Sequence, residues 1–313
     1  MTSPLRARAQ GAAVPLIGRC SFPDPGAPLA CAVSGGADSL ALLVLAVVAG
    51  CDVIAHHVDH GLREGSDQDV GVVNEVAGEL GVEVVVHRVS VGAGPNLEAR
   101  ARSARLGAMP VGAATGHTAD DQAETVLLNL LRGAATDGLA AMRSGPRHPI
   151  LALRRAETHA LCAQLRLHPV EDPTNRDPAH LRNRIRHELI PVLCELAGRD
   201  IVPVLARQAG LLADDAVLLS ELASALDPTD ARAIADAPAP LGRRALREWL
   251  RCDHPPDLAT VDRVLSVAAG ETLAADVGLG RSVRRSRGRL RLCGAPPEAQ
   301  DPGVLSCRPG APD

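Results

Sequence analysis

Between Pro28 and Leu153 short apolar runs alternate with longer segments of helical pattern, and this alternation limits the fold more than any other property of the chain. Pro28 to Val33 reads as a strand and Ser39 to Ala49 as a buried helix. Asp52 to Val58 is a second strand, followed by a helix over Ser66 to Gly81. Val82 to Val89, rich in β-branched residues, is a third strand, with a helix after it around Leu97 to Leu106. Pro110 to Thr115 carries a weaker strand signal, Ala119 to Arg132 a strong helical one, and Pro149 to Leu153 is a candidate fifth strand. Strands that alternate with helices predict an α/β fold with a doubly wound, mostly parallel sheet. Such sheets bind ligands beyond the carboxyl ends of their strands, and every polar motif of the first half lies at such an end.

Past residue 185 the strand signal fades. Asp200 to Leu226, Leu241 to Arg251 and Asp257 to Ala269 read as helices, and short β segments return over Leu279 to Leu292. The expected organisation is a flexible lead-in over 1–27 and a catalytic domain over 28–190. A smaller, mainly helical domain follows over 191–293, then a disordered tail over 294–313, rich in Pro and Gly.

Composition excludes several classes. All 33 basic residues are arginine, so a phosphate loop of the G-x-x-x-x-G-K-[ST] type, which needs lysine, is impossible. A net charge of −4 argues against a chain that is basic overall, although local arginine clusters remain available for nucleic acid. The eight cysteines contain no C-x-x-C and suggest neither a zinc ribbon nor a disulfide framework. The longest apolar run, Leu40 to Cys51, is too short to span a bilayer, and the N-terminus is a poor signal peptide. The reading is a cytoplasmic protein with no membrane association.

Ser34-Gly35-Gly36-Ala37-Asp38-Ser39 stands between a strand and a helix. Two glycines allow close backbone approach to a phosphate, and the helix start supplies N–H groups and a positive dipole end. Ser34 and Ser39 can add hydroxyl donors. Asp38 would repel phosphate, so it either holds Mg²⁺ or caps the helix. An ordinary Gly-Gly turn is the alternative.

Later polar segments follow the same placement. His57-Val58-Asp59-His60-Gly61-Leu62-Arg63 ends the second strand and suits a loop contacting nucleotide or substrate better than a metal site. Gly116-His117-Thr118-Ala119-Asp120-Asp121-Gln122-Ala123-Glu124-Thr125 opens a helix. There Asp120 and Glu124 share a face by i, i+4 spacing, able to ligate Mg²⁺ or take a proton, or else to serve as dipole-favoured acids beside a Thr118 cap. Glu171-Asp172-Pro173-Thr174-Asn175 is a turn by composition. In Arg182-Asn183-Arg184-Ile185-Arg186-His187, Arg182 and Arg186 share a helix face, either a stripe for phosphates or a solvated surface.

The 34–39 loop matches the S-G-G-x-D-S signature of the PP-loop ATP pyrophosphatase superfamily. Together with H-V-D-H-G-L-R at 57–63, G-H-T-A-D-D-Q-A-E-T-V-L-L-N-L-L-R-G at 116–133, E-D-P-T-N at 171–175 and R-N-R-I-R-H-E-L-I-P at 182–191, it resembles the tRNA(Ile)-lysidine synthetase family over about residues 28 to 292. At His148-Pro149-Ile150 the sequence departs from the Arg-Pro-Leu more usual there. The resemblance implies a PP-loop, adenine nucleotide alpha-hydrolase-like fold and a C-terminal region that helps bind tRNA. It implies ATP and Mg²⁺ as cofactors, with CAU-anticodon tRNA(Ile) and free L-lysine as partners; a homodimer is left open. It assigns Ser34, Gly35, Gly36, Ala37, Asp38, Ser39, His60, Gly116 and His117 to ATP, with Asp38 near the metal. Asp38, Asp120, Asp121 and Glu124 become the catalytic acids. Arg63, Arg132, Arg182, Asn183 and Arg186 become tRNA or substrate contacts, and the run Arg281, Arg284, Arg285, Arg287, Arg289, Arg291 either meets tRNA phosphates or forms a solvated hairpin. The rivals are another PP-loop enzyme, such as a tRNA thiolase or amide-forming synthetase, and a non-catalytic nucleotide-binding sensor. The first lacks cysteines spaced for sulfur transfer or an amidotransferase domain, and the second has no use for both the acids and the arginine stripe.

Overall fold

A computed structural model describes residues 3–59, 66–89, 107–170, 177–252 and 255–294. The chain divides into two compact units, Met1–Ala213 and Asp214–Asp313.

The first unit opens on a helix, α1 (Pro4–Ile17), where the sequence suggests a loose lead-in. Pro4 at the first helical position and a Ser3 hydroxyl accepting from the Leu5 N–H start it. Leu5, Ala9, Ala12, Ala13 and Leu16 recur at helical spacing and are buried. The parallel sheet follows as β1 (Pro28–Ala32), α2 (Ala37–Val48), β2 (Asp52–Asp59), α3 (Ser66–Leu80) and β3 (Glu83–Arg88), with strand order β1-β2-β3. Leu29 faces Val53 across the first pair and Ala55 faces Val84 across the second.

α2 is apolar on all sides because it is buried on all sides. Leu40 through Ala46 are fully inaccessible, packed among α1, α3 and the sheet. With so few aromatics, this core is built from Leu, Val, Ala and Ile.

On the other edge of β1, the Pro110–Thr115 segment forms no named strand. It joins the sheet through one parallel bridge, with the Ala32 N–H donating to Ala114 O and the Ala114 N–H donating to Ala30 O, both at 2.8 Å. β1 therefore has β2 on one side and the 110–115 chain on the other, the arrangement that opens a crevice at strand carboxyl ends.

Next come α4 (Ala119–Leu131), α5 (Thr136–Leu139) and α6 (Arg155–Leu165). Pro149–Leu153, the expected fifth strand, is a succession of turns, with the Leu151 N–H bonded to His148 O and the Leu153 N–H to Ile150 O. Pro149 has no N–H to give a ladder, and Ile150 and Leu153 are buried without one. α7 (Leu181–Arg184) runs through a π-helical turn (Ile185–Leu189) into α8 (Ile190–Ala197), and α9 (Val202–Ser224) carries the division between the units. The expected helix at 97–106 and the 294–313 tail, apart from Gly294, lie outside the described residues.

The second unit contains α10 (Ala231–Asp236), α11 (Ala239–Trp249), α12 (Leu258–Ala269) and an antiparallel sheet of β4 (Ala274–Gly278), β5 (Arg281–Ser286) and β6 (Arg289–Cys293). Asp230 and Asp257 cap α10 and α12 through their carboxylates. Ile234, Leu246, Val264, Val267, Val283 and Leu290 form a core of its own. β4 lies before the β segments that the sequence indicated. Among the described residues no helix is long and apolar enough to cross a membrane.

Candidate active site

The loop after β1 is braced from within. The Ser39 hydroxyl donates to Gly36 O at 2.8 Å and accepts from the Ser34 N–H at 3.1 Å, while the two serine hydroxyls lie 3.2 Å apart. Gly35 has φ 86°, a conformation that L side chains rarely adopt. Gly36 is the N-cap of α2, and no side chain caps that helix, which leaves its positive end to an anion. Val170 donates its N–H to Gly35 O at 3.0 Å, so the chain entering 171–175 passes this loop. The Glu171–Asn175 turn itself, His60 and Arg63 lie outside the described residues.

Gly116 presses on the same loop from the 110–115 side. A Cβ there would lie 2.7 Å from the Asp38 carbonyl oxygen and 3.0 Å from the Ser39 nitrogen. His117, one residue on, shares the Thr115 hydroxyl with His148, at 2.6 and 2.8 Å from their Nδ1 atoms. Burial and the neighbouring His117 and Arg147 pull the His148 imidazole down to about 4. At the end of β2, buried His57 donates Nδ1–H to Val33 O at 2.8 Å, which leaves Nε2 as its acceptor when neutral.

The acids at the start of α4 are met by arginines from two other segments. Asp120 accepts two N–H bonds from Arg154, each 3.0 Å, and a third from the Arg155 backbone at 2.7 Å. Asp121 accepts the Thr118 N–H and hydroxyl, both at 2.9 Å, and pairs with Arg155 and Arg182 at 2.9 and 3.2 Å. Glu124, 1% exposed, receives Arg155 at 3.1 Å, Arg182 at 2.8 Å and Arg186 at 2.6 Å. Asp38 accepts the Thr158 hydroxyl and lies 3.5 Å from the Arg155 Nε. Arg154 also pairs with Asp200.

Four carboxylates (Asp38, Asp120, Asp121, Glu124) thus face four guanidinium groups (Arg154, Arg155, Arg182, Arg186). Burial alone would raise Asp120 and Asp121. Arg154 chiefly overcomes it for the first and Arg155 for the second, and both stay below the usual carboxylate range. For Asp38 burial dominates, the Thr158 hydrogen bond offsets it only partly, and the Asp121 charge adds to it, so this carboxyl is raised.

The structure gathers Asp38, Asp120, Asp121, Glu124, Arg182 and Arg186 at one place, with the phosphate loop and Gly116 beside it. Arg182 and Arg186, read as phosphate contacts, hold Glu124 here. Asn183 is buried and donates Nδ2–H to Asp177 O at 2.8 Å. Arg132 is exposed at the far end of α4 from the acids. In the second unit Arg285 donates to Ala268 O and Arg289 pairs with Asp227, each at 2.7 Å, while Arg284 and Arg291 are paired across β5 and β6. Sequence reading missed Arg154, Arg155 and Thr158. Their signal was two adjacent arginines directly after the apolar Pro149–Leu153 run. Among the described residues no three His, Cys, Asp or Glu side chains converge as a metal cluster.

A glycine-bearing loop between a central parallel strand and a buried helix, with acids across from it, defines an ATP-utilising PP-loop domain, and the family model for that domain matches residues 17–193. Among curated relatives, the tRNA(Ile)-lysidine synthase of Nocardia farcinica is 42% identical, over 87% of this chain and 93% of that protein. The enzymes of that name from Salinispora tropica and Cutibacterium acnes are 46% and 37% identical, covering 66% and 83% of this chain and 68% and 89% of their own lengths. The chain belongs to the tRNA(Ile)-lysidine synthase family.

Proposed function

We propose that the chain ligates free L-lysine to C2 of the wobble cytidine in CAU-anticodon tRNA(Ile), converting ATP to AMP and diphosphate and shifting codon reading from AUG to AUA. The observation that carries this reading is the acid–arginine cluster beside the phosphate loop, where an activated base and an amine can meet. The C2 oxygen of the cytosine attacks the α-phosphate and diphosphate leaves. The lysine ε-amine then attacks C2, and AMP departs with the oxygen. The first step converts a poor leaving oxygen into a good one.

The braced loop and the open end of α2 suit the β and γ phosphates, and Gly116 and His117 flank the nucleotide. Asp120 and Asp121, anionic and of low proton affinity, suit the holding of an ammonium rather than its deprotonation. Arg182 and Arg186 suit phosphate oxygens of the anticodon strand, which must present the cytosine unstacked.

Mg²⁺ fits the donor set. Asp38 offers carboxylate oxygens next to the loop, one of them only 3.5 Å-paired to Arg155, and magnesium needs one or two carboxylates besides substrate phosphates. When bound it neutralises charge that builds on the phosphates.

The test is incubation of the protein with ATP, labelled lysine and unmodified isoleucine tRNA(CAU). Label is expected in tRNA only when ATP is present, with AMP formed. ATP turnover without lysine incorporation would point to another PP-loop chemistry, and ATP binding without turnover to a sensor; either outcome sinks the reading.

A further inference from the structure

Among the four arginines of the cluster, Arg155 alone touches both the phosphate loop and the acids of α4. Its Nε lies 3.5 Å from Asp38, its Nη1 3.1 Å from Glu124 and its Nη2 2.9 Å from Asp121. Each nitrogen of the fork serves a different carboxylate, and these carboxylates come from two different helices, Asp38 from the first turn of α2 and Asp121 and Glu124 from the first two turns of α4. The backbone end is fixed, because the Arg155 N–H donates to Asp120 at 2.7 Å. Arg154 reaches Asp120 and Asp200 instead, and Arg182 and Arg186 reach Asp121 and Glu124 without Asp38.

Every carboxylate of this cluster already has a guanidinium partner, so a further cation gains carboxylate oxygens only where a guanidinium gives them up. Phosphates on the loop beside Asp38 compete for the guanidinium nearest to them, since planar guanidinium groups favour phosphate as they favour carboxylate. That group is Arg155.

We propose that Arg155 is a positioning residue that couples the two small substrates: nucleotide at the loop draws its guanidinium away from Asp121 and Glu124, and those carboxylates then accept the lysine ammonium more tightly. This inference rests on the proposed use of ATP and lysine. It predicts that the amino acid binds poorly until nucleotide is in place, and by reciprocity that lysine tightens nucleotide binding. A lysine at this position would keep the charge but not the fork that spans three carboxylates.

Calorimetric titration of lysine, with and without a nonhydrolysable α,β-methylene ATP analogue and Mg²⁺, tests it. In the unaltered protein the analogue is expected to tighten lysine binding about fivefold or more. In Arg155→Met that ratio is expected to fall to within about twofold of unity, and in Arg155→Lys to less than about half the original value. A purely structural role would weaken each ligand alone and leave the ratio intact, and that result overturns the proposal. So does a ratio near unity in the unaltered protein. Should Arg155→Met fail to fold, an undiminished ratio in Arg155→Lys overturns it equally. The unaltered protein is assayed in parallel for lysine transfer to tRNA. Coupling without transfer would defeat the proposed reaction and leave the coupling standing; transfer without coupling would do the reverse.

Discussion

Gly116 is constrained by space, not by its dihedral angles. The nearest atoms to a would-be Cβ are backbone atoms of Asp38 and Ser39, which cannot turn aside as a side chain can. Gly116→Ala is therefore expected to displace the phosphate loop and weaken ATP binding about tenfold or more, the equivalent of roughly 1.4 kcal/mol and within the usual cost of overpacking. Titration with ATP checks this, and unchanged affinity would mean that the loop does not need the close approach. At this scale the sequence was informative about acids and less so about their partners. Asp120, Asp121 and Glu124 announce themselves by lying together at a helix start. Arg154 and Arg155 meet them across 31 to 35 positions of chain, and nothing in local spacing reports such a pairing. Arg182 and Arg186 were legible as a shared face, but whether that face looks at phosphate or at Glu124 depends on tertiary placement.

Among the elements, α1 differs most from expectation. Leu5, Ala9, Ala12, Ala13 and Leu16 follow a helical period, yet Gly11, Pro15 and the many alanines resemble linker composition. Small side chains are what allow α1 to pack closely on α2. Ala9 has no exposed surface, so Ala9→Asp buries an unpaired charge and is expected to cost about 3 kcal/mol or more. Chemical denaturation measures it; a change within about 0.5 kcal/mol, the usual surface value, would fit a loose lead-in instead. Pro149–Leu153 shows the converse, regular structure expected and turns found. A short buried apolar run has no periodicity that separates a strand from a string of turns, and here the proline and the chain's return toward α6 decide for turns. The strands β1, β2 and β3 were legible because each is a β-branched or apolar run bounded by turn residues.

At the scale of the whole molecule, the two units have separate cores, and the only tryptophan, Trp249, packs against the second. With no tyrosine in the chain, fluorescence reports the Asp214–Asp313 unit alone, whereas far-UV circular dichroism reports both units. Urea unfolding followed by the two signals is expected to give non-coincident curves, the fluorescence slope near the lower end of about 1–3 kcal/mol/M that suits a small domain. Superimposable curves would show one cooperative system instead. The guanidinium groups around the acids have a consequence of another kind. In the proposed reaction the activated cytidine is an electrophile that any neutral amine nearby can capture. The cations that Asp121 and Glu124 hold are arginines, whose delocalised guanidinium is a poor nucleophile. No side chain of the protein bears an ε-amine. A site built this way offers the intermediate no amine side chain of its own, and the intermediate is left for the amine that arrives from solution.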